Sequence, residues 1–287
     1  PSVHGQRRFV NERDAYQRLL EGSAAAIRDL PDARLGVAPH SLRAVALDDL
    51  GWVSSLRPND PVHIHVAEQV PEVEASLKIT GKRPVELLMD TIPLDKRWCL
   101  IHATHLSDTE RDGIARSGAV AGLCPITESS LGDGIFDGIR YAQAGGAYGV
   151  GSDSNIQIDA GSELRQLEYS QRLRDRRRAL FAEEKASTGL ALWQAACAGG
   201  ARACGRAIGA IAPGRRADFI TLDTDHPALV GRTGAEAVDS AIFAANAMPL
   251  RDVVVGGRRV VAEGRHVARD SVRARFAGVM RRLLATE

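Results

Sequence analysis

The string Val62-His63-Ile64-His65-Val66-Ala67-Glu68 places a carboxylate three residues after a histidine, where an apolar run gives out. Imidazole nitrogen is a good ligand for a divalent metal, and a carboxylate just above it can carry protons. His63 and His65 share one face of a strand. The pair can act as two ligands, or as one ligand and one interior histidine; Glu68 at H-x-x-E spacing favours His65. Other apolar runs end the same way: Leu35–Ala38 before His40, Trp98–Ile101 before His102, and Ala147–Val150 before Asp153. Five of the eight histidines (His40, His63, His65, His102, His105) fall at three such ends. The chemistry this composes is hydrolysis at a metal. Zinc takes His nitrogen and Asp oxygen, keeps a position open for water, and lowers the pKa of that water to about 7. Glu68 then shuttles protons and His102 polarises or deprotonates. Asp153 has a second reading as the N-cap of the next helix. Arg43, three residues past His40, offers a planar fork suited to a carboxylate, with a surface ion pair as its plainer reading.

The elements that must position these residues are strands buried on both faces, which read as unbroken apolar runs in parallel sheets. Five runs qualify: the four above, with Val62–Val66 around His65, and Ala119–Leu123 before Cys124. Helical patterns separate them at Val70–Leu77, Pro84–Met89, Ile139–Ala144, Gly161–Leu180 and Leu190–Cys204. Ser107-Asp108-Thr109-Glu110 is a capping box, and its helix stops near Gly118. Strand–helix alternation implies a parallel α/β sheet, with active-site residues at the C-terminal strand ends. The last fifth changes character. Ala217–Leu222 reads as a strand, and Asp252–Val255 and Arg258–Val261 flank Gly256-Gly257, a hairpin signal. A small antiparallel sheet is expected over about 206–265, then a closing helix over Val272–Leu284.

Bulk composition narrows the function. The net charge is +1 over 287 residues, so no global field draws in nucleic acid or an acidic membrane. The Arg172–Arg178 run has no interleaved aromatics and reads as a solvated helix face. No apolar stretch reaches the roughly 18 residues that cross a bilayer, and no signal-peptide pattern is present. Cys99, Cys124, Cys197 and Cys204 form no C-x-x-C motif and read as reduced thiols, which suits the cytoplasm. The chain begins at Pro1, in a Val3–Arg8 segment that reads as an entry into the middle of something longer.

The strings His63–Gln69, Ile101–His105, Gly151–Ser154 and Ile211–Asp218 resemble the amidohydrolase superfamily. Within it, Pro39–Val45, Gly132–Phe136 and Leu167–Arg176 resemble the deiminases that act on formimidoylglutamate. The resemblance implies a (β/α)8 metal-dependent hydrolase barrel with its first strands missing, plus part of a small β-sandwich. The barrel portion would occupy 1–205, the sandwich portion 206–265 and a C-terminal helix 266–287. It implies one divalent metal, zinc first, held by His65 and Asp153, with two further histidine ligands expected upstream. Glu68 would protonate the imino nitrogen, His102 would assist the attacking water, Asp153 would receive its proton, and His40 and Arg43 would hold a substrate carboxylate. A small-molecule substrate and a homodimer are also implied. Alternatives are a related deaminase acting on an aminopurine-like cyclic amidine, or an inactive folded fragment.

Overall fold

The computed structural model describes Arg7, residues 9–182 and residues 186–285. The Val3–Arg8 segment, Arg7 apart, lies outside the described residues. Four parallel strands, β1 (Val62–Val66), β2 (Trp98–His102), β3 (Val120–Leu123) and β4 (Ala147–Val150), lie side by side in chain order. The register pairs Val62 with Trp98, Cys99 with Val120, and Val120 with Ala147. The expected strand at Leu35–Ala38 is reduced to two isolated parallel bridges, Val37 to Val62 and Ser41 to His65. The reason lies at Pro39, which has no N–H to continue a ladder. The segment still follows the edge of β1: His63 N donates to Val37 O and His65 N to His40 O, each at 3.0 Å.

Helices α1 (Arg13–Ala26) and α2 (Leu47–Leu56) precede β1. Helices α3 (Val70–Thr80) and α4 (Pro84–Thr91) connect β1 to β2, and α5 (Asp108–Ser117) connects β2 to β3. Helices α6 (Pro125–Leu131) and α7 (Gly138–Gln143) lead to β4, and α8 (Ala160–Asp175) and α9 (Thr188–Ala203) follow it. The capping box at α5 forms as expected: Ser107 Oγ accepts from Glu110 N at 3.2 Å, Glu110 Oε2 accepts from Ser107 N at 2.8 Å, and Gly118 closes the helix at φ 77°. Helix α8 ends earlier than its sequence pattern suggests, because Arg176 turns left-handed at φ 54°. The buried Glu168 carboxylate then holds the returning chain by accepting from Leu180 N and Phe181 N.

The core lies between this sheet and its helices and includes Leu50, Ile64, Leu88, Trp98, Leu100, Ile114, Leu123, Leu164 and Leu192. Helix α9 approaches β4 so closely that a Cβ on Gly199 would sit 1.8 Å from Tyr148 O. Only hydrogen fits there, so this contact fixes the helix against the strand that leads to Asp153.

The C-terminal strands β5 (Phe219–Leu222), β6 (Leu250–Val255), β7 (Arg258–Ala262) and β8 (Arg265–His266) form the expected antiparallel sheet, with the hairpin turning at Gly256-Gly257. The stretch also contains a helix, α10 (Gly234–Phe243), which leaves the small sheet after β5 and packs on α8 and α9. Helix α11 (Arg269–Leu284) ends the described chain. Among the described residues, no helix is long and apolar enough to cross a membrane.

Candidate active site

The strand ends converge. The His40 and His65 rings lie 5.0 Å apart, and His65 and His102 lie 5.7 Å apart, centre to centre. His65 Nδ1 is 2.8 Å from His40 O, so the ring donates there and leaves Nε2 free. His102 Nε2 is 3.6 Å from Glu68 Oε1, and Arg43 Nη2 donates to Glu68 Oε2 at 2.9 Å. His40 Nδ1 meets Ser41 Oγ at 2.9 Å. His63 faces the same side as His65 but belongs elsewhere, since its Nε2 meets Ala203 O at 2.9 Å. Asp153 is exposed just past β4, near enough for its charge to act on His102 and Cys124.

The backbone that presents these groups is bent. Ala67 (φ 51°), His102 (φ 69°), Ala103 (φ 48°) and Asp153 (φ 43°) all adopt left-handed conformations at strand ends. Each costs on the order of 1–3 kcal/mol and persists only where its surroundings hold it. At Ala67 the holding group is Glu72, a buried carboxylate on α3 that accepts from Ala67 N at 3.1 Å and Glu68 N at 2.9 Å. At Ala103 the amide donates to Val66 O at 3.1 Å. The Gly132–Phe136 string closes the other side: Asp133 Oδ1 accepts from Gln69 Nε2 at 2.7 Å, and Asp133 O meets His105 Nε2 at 2.7 Å.

Two carboxylates that sequence reasoning passed over lie below the cleft. Glu128, on α6, has Oε1 at 3.3 Å from His102 Nδ1 and accepts from Cys124 N at 2.9 Å. Glu163, on α8, accepts from Ile126 N at 3.0 Å through Oε2, while its buried Oε1 has no partner. A carboxylate shortly after a strand end is the signal that could have found Glu128; Glu163 left none. His102, Cys124 and Glu128 bring their ligating atoms within 4.8 Å of one another. This buried cluster shares His102 with the expected site and contains neither His65 nor Asp153.

Electrostatics follow the geometry. Burial, then the nearby His65 and Arg43, hold the His40 imidazole below its usual range. Burial opposes charge on His102, but the Glu128 hydrogen bond and the charges of Glu128, Glu68 and Asp153 outweigh it and raise its pKa. Burial pushes Glu163 up to about 7, aided by Glu128 and Asp153 and only partly offset by the Ile126 amide. In the unfolded chain Glu163 titrates near 4.5. The native state therefore holds this proton more tightly, and that stability, complete below pH 4.5, is lost as pH rises through about 7. Glu163→Gln, which keeps an acceptor for Ile126 N, is expected to gain stability relative to the parent between acid and alkaline buffer. The upper bound is on the order of 3 kcal/mol. Thermal melts of metal-free protein at both pH values read this directly, and a pH-independent difference would remove the assigned burial effect.

Known proteins resemble the chain over most of its length. The Amidohydrolase family model matches residues 3–260. Formimidoylglutamate deiminase of Pseudomonas aeruginosa is 44% identical over 286 residues, covering 99% of this chain and 63% of that protein. A 5-methylthioadenosine/S-adenosylhomocysteine deaminase of Natronomonas pharaonis is 30% identical over 268 residues, covering 90% of this chain and 60% of that protein. The crystal structure of an amidohydrolase from Brucella melitensis superposes with a TM-score of 0.94 at 48% identity, over 99% of this chain and 62% of that one. An adenosine deaminase from Xanthomonas campestris with bound zinc shares the fold, with a TM-score of 0.85 at 23% identity, over 97% of this chain and 63% of that one. The chain thus spans somewhat under two thirds of the length of these relatives. With a family model spanning most of its length, the chain belongs to the amidohydrolase family.

Proposed function

We propose that the full-length protein hydrolyses N-formimidoyl-L-glutamate to N-formyl-L-glutamate and ammonia. The observation that carries this is the convergence of His65, Glu68 and His102 at adjacent strand ends with the Arg43 guanidinium 2.9 Å from Glu68. The 44% identity to a formimidoylglutamate deiminase supports the choice of substrate. One divalent metal, zinc as first choice, fits the donor set. His65 Nε2 is free because Nδ1 is bonded to His40 O, the usual arrangement of a ligating histidine. Asp153 adds an oxygen donor, and the remaining ligands come from outside these two residues. A metal held there supplies Lewis-acid activation of water at neutral pH.

The side chains divide the remaining work. His102 takes up a proton from the attacking water, and Glu68 delivers one to the imino nitrogen. Asp153 passes on the second water proton. Oxygen bonds to the formimidoyl carbon, the carbon–nitrogen bond to the protonated nitrogen breaks, and ammonia leaves with both water protons. His40 and Arg43 hold a carboxylate of the glutamate. Arg43 pairs with Glu68 in the structure, so a substrate carboxylate competes for the same fork. A cytoplasmic homodimer is the setting that the family resemblance favours.

The experiment is ammonia release from N-formimidoyl-L-glutamate by the metal-loaded full-length protein, parent beside Arg43→Ala. The parent turns over. The variant shows a KM raised by about 10–100-fold, in line with the loss of a charge-assisted hydrogen bond, and a smaller change in kcat. Ammonia from guanine but not from formimidoylglutamate would point instead to a deaminase of ring amidines. Failure to retain metal at all would mean a folded module without catalysis.

A further inference from the structure

Glu128 belongs to none of the roles above, yet it makes the closest polar contact of the His102 ring. Its Oε1 lies 3.3 Å from His102 Nδ1, on the side of the ring away from Glu68, which faces Nε2. The same oxygen accepts from Cys124 N at 2.9 Å, which pins the carboxylate to the end of β3. Both partners are out of water: Glu128 is 4% exposed and His102 1%. Helix α6, which carries Glu128, starts at Pro125 directly after Cys124, and its C-terminus is closed by Gly132 at φ 74°. The carboxylate is therefore held at the N-terminal end of this short helix, against the end of β3.

An ionised buried carboxylate only accepts hydrogen bonds. Glu128 Oε1 already accepts the Cys124 amide proton and so acts as an acceptor toward the ring; the His102 Nδ1 facing it carries the proton, and in the neutral ring Nε2 is then the lone-pair nitrogen on the Glu68 side. A base needs its lone pair where the reacting proton is, and a ring with the wrong tautomer presents N–H there instead. We infer that Glu128 is a positioning residue: it fixes His102 as the Nδ1–H tautomer and thereby directs Nε2 at the water and Glu68. This rests on the functional reading above only for the identity of the substrate; the tautomer is a property of the substrate-free protein.

The test uses full-length metal-loaded protein labelled with 15N-histidine, with the His102 signals assigned by their loss in His102→Asn. Under alkaline conditions, where the ring is neutral, the parent is expected to show the Nδ1–H tautomer. Glu128→Gln keeps an oxygen in place, since Cys124 N continues to hold it, and retains that tautomer. Glu128→Leu loses it. Turnover follows the tautomer: the Leu variant falls by about 10²–10⁴-fold in kcat, the range of a lost general base, the Gln variant by much less, and KM moves less than kcat in both. Nε2–H in the parent overturns the inference, and this measurement stands even where the Leu variant does not fold. Retention of Nδ1–H in a folded Glu128→Leu also overturns it. Because the readout needs no substrate, it decides the positioning role even if the parent releases no ammonia from formimidoylglutamate, which would be the failure of the functional reading.

Discussion

Glu68→Gln in the full-length protein is expected to lower ammonia release by about 10²–10⁴-fold while substrate binding changes only a few-fold. Gln has the shape of Glu and keeps an oxygen for the Arg43 guanidinium, which lies 2.9 Å away. What it lacks is a proton to give. The backbone should hold its place, because the Ala67 and Glu68 amides are gripped by Glu72 and not by the Glu68 side chain. Steady-state kinetics with calorimetric titration of the substrate separates the two effects. Full turnover by the variant would remove Glu68 from the proton path. An equal loss of binding and turnover would make it a binding residue.

A second large effect is expected away from the cleft. Glu110 is 1% exposed and collects four donors. Its Oε1 accepts from Val85 N and Glu86 N, each at 3.1 Å, at the start of α4. Its Oε2 accepts from Arg83 Nε at 2.6 Å and from Ser107 N at 2.8 Å. One carboxylate thus caps α4, closes the capping box of α5 and neutralises a half-buried arginine. Glu110→Ala strands all four, and removing one partner of a buried charge pair costs about 3–5 kcal/mol. Glu110→Gln should cost clearly less, since one oxygen still accepts. Urea denaturation of the two variants measures the difference. A loss within about 1 kcal/mol for Ala would mean that water replaces the carboxylate at these helix ends.

The strand ends were legible because of how buried parallel strands are built. Such strands are apolar throughout, so His65, His102 and Asp153 stand out where the runs end, and the end of a run is the edge of the sheet. The capping box at Ser107 and the Gly256-Gly257 hairpin were legible because each is a local hydrogen-bond pattern with its own residue types. The segment at Leu35–Ala38 had the right polarity, but Pro39 breaks the ladder one residue on. Helix α8 reads as longer in the sequence because an arginine-rich run suits a helix as well as a turn, and the Glu168 contacts with Leu180 and Phe181 decide between them. Glu128 and Glu163 were hidden for a different reason. A glutamate in a short polar stretch reads as exposed, and its burial depends on neighbours from another element: His102 of β2 for Glu128, and Ile126 of α6 for Glu163.

The route of the chain through α10 has a consequence for any attempt to take the molecule apart. The polypeptide enters the antiparallel sheet at β5, returns to lay α10 on α8 and α9, and goes back for β6. Ala241 and Ile242 are fully buried in that return, and Asp239 accepts from the Gly189 amide at 2.6 Å near the start of α9. The two sheets are therefore sewn together by a double crossing. A single cut near residue 205 would not release a tidy appendage. It would strip a packed helix from the side of the barrel portion and uncover the flank of α9, the same helix whose Gly199 rests against β4.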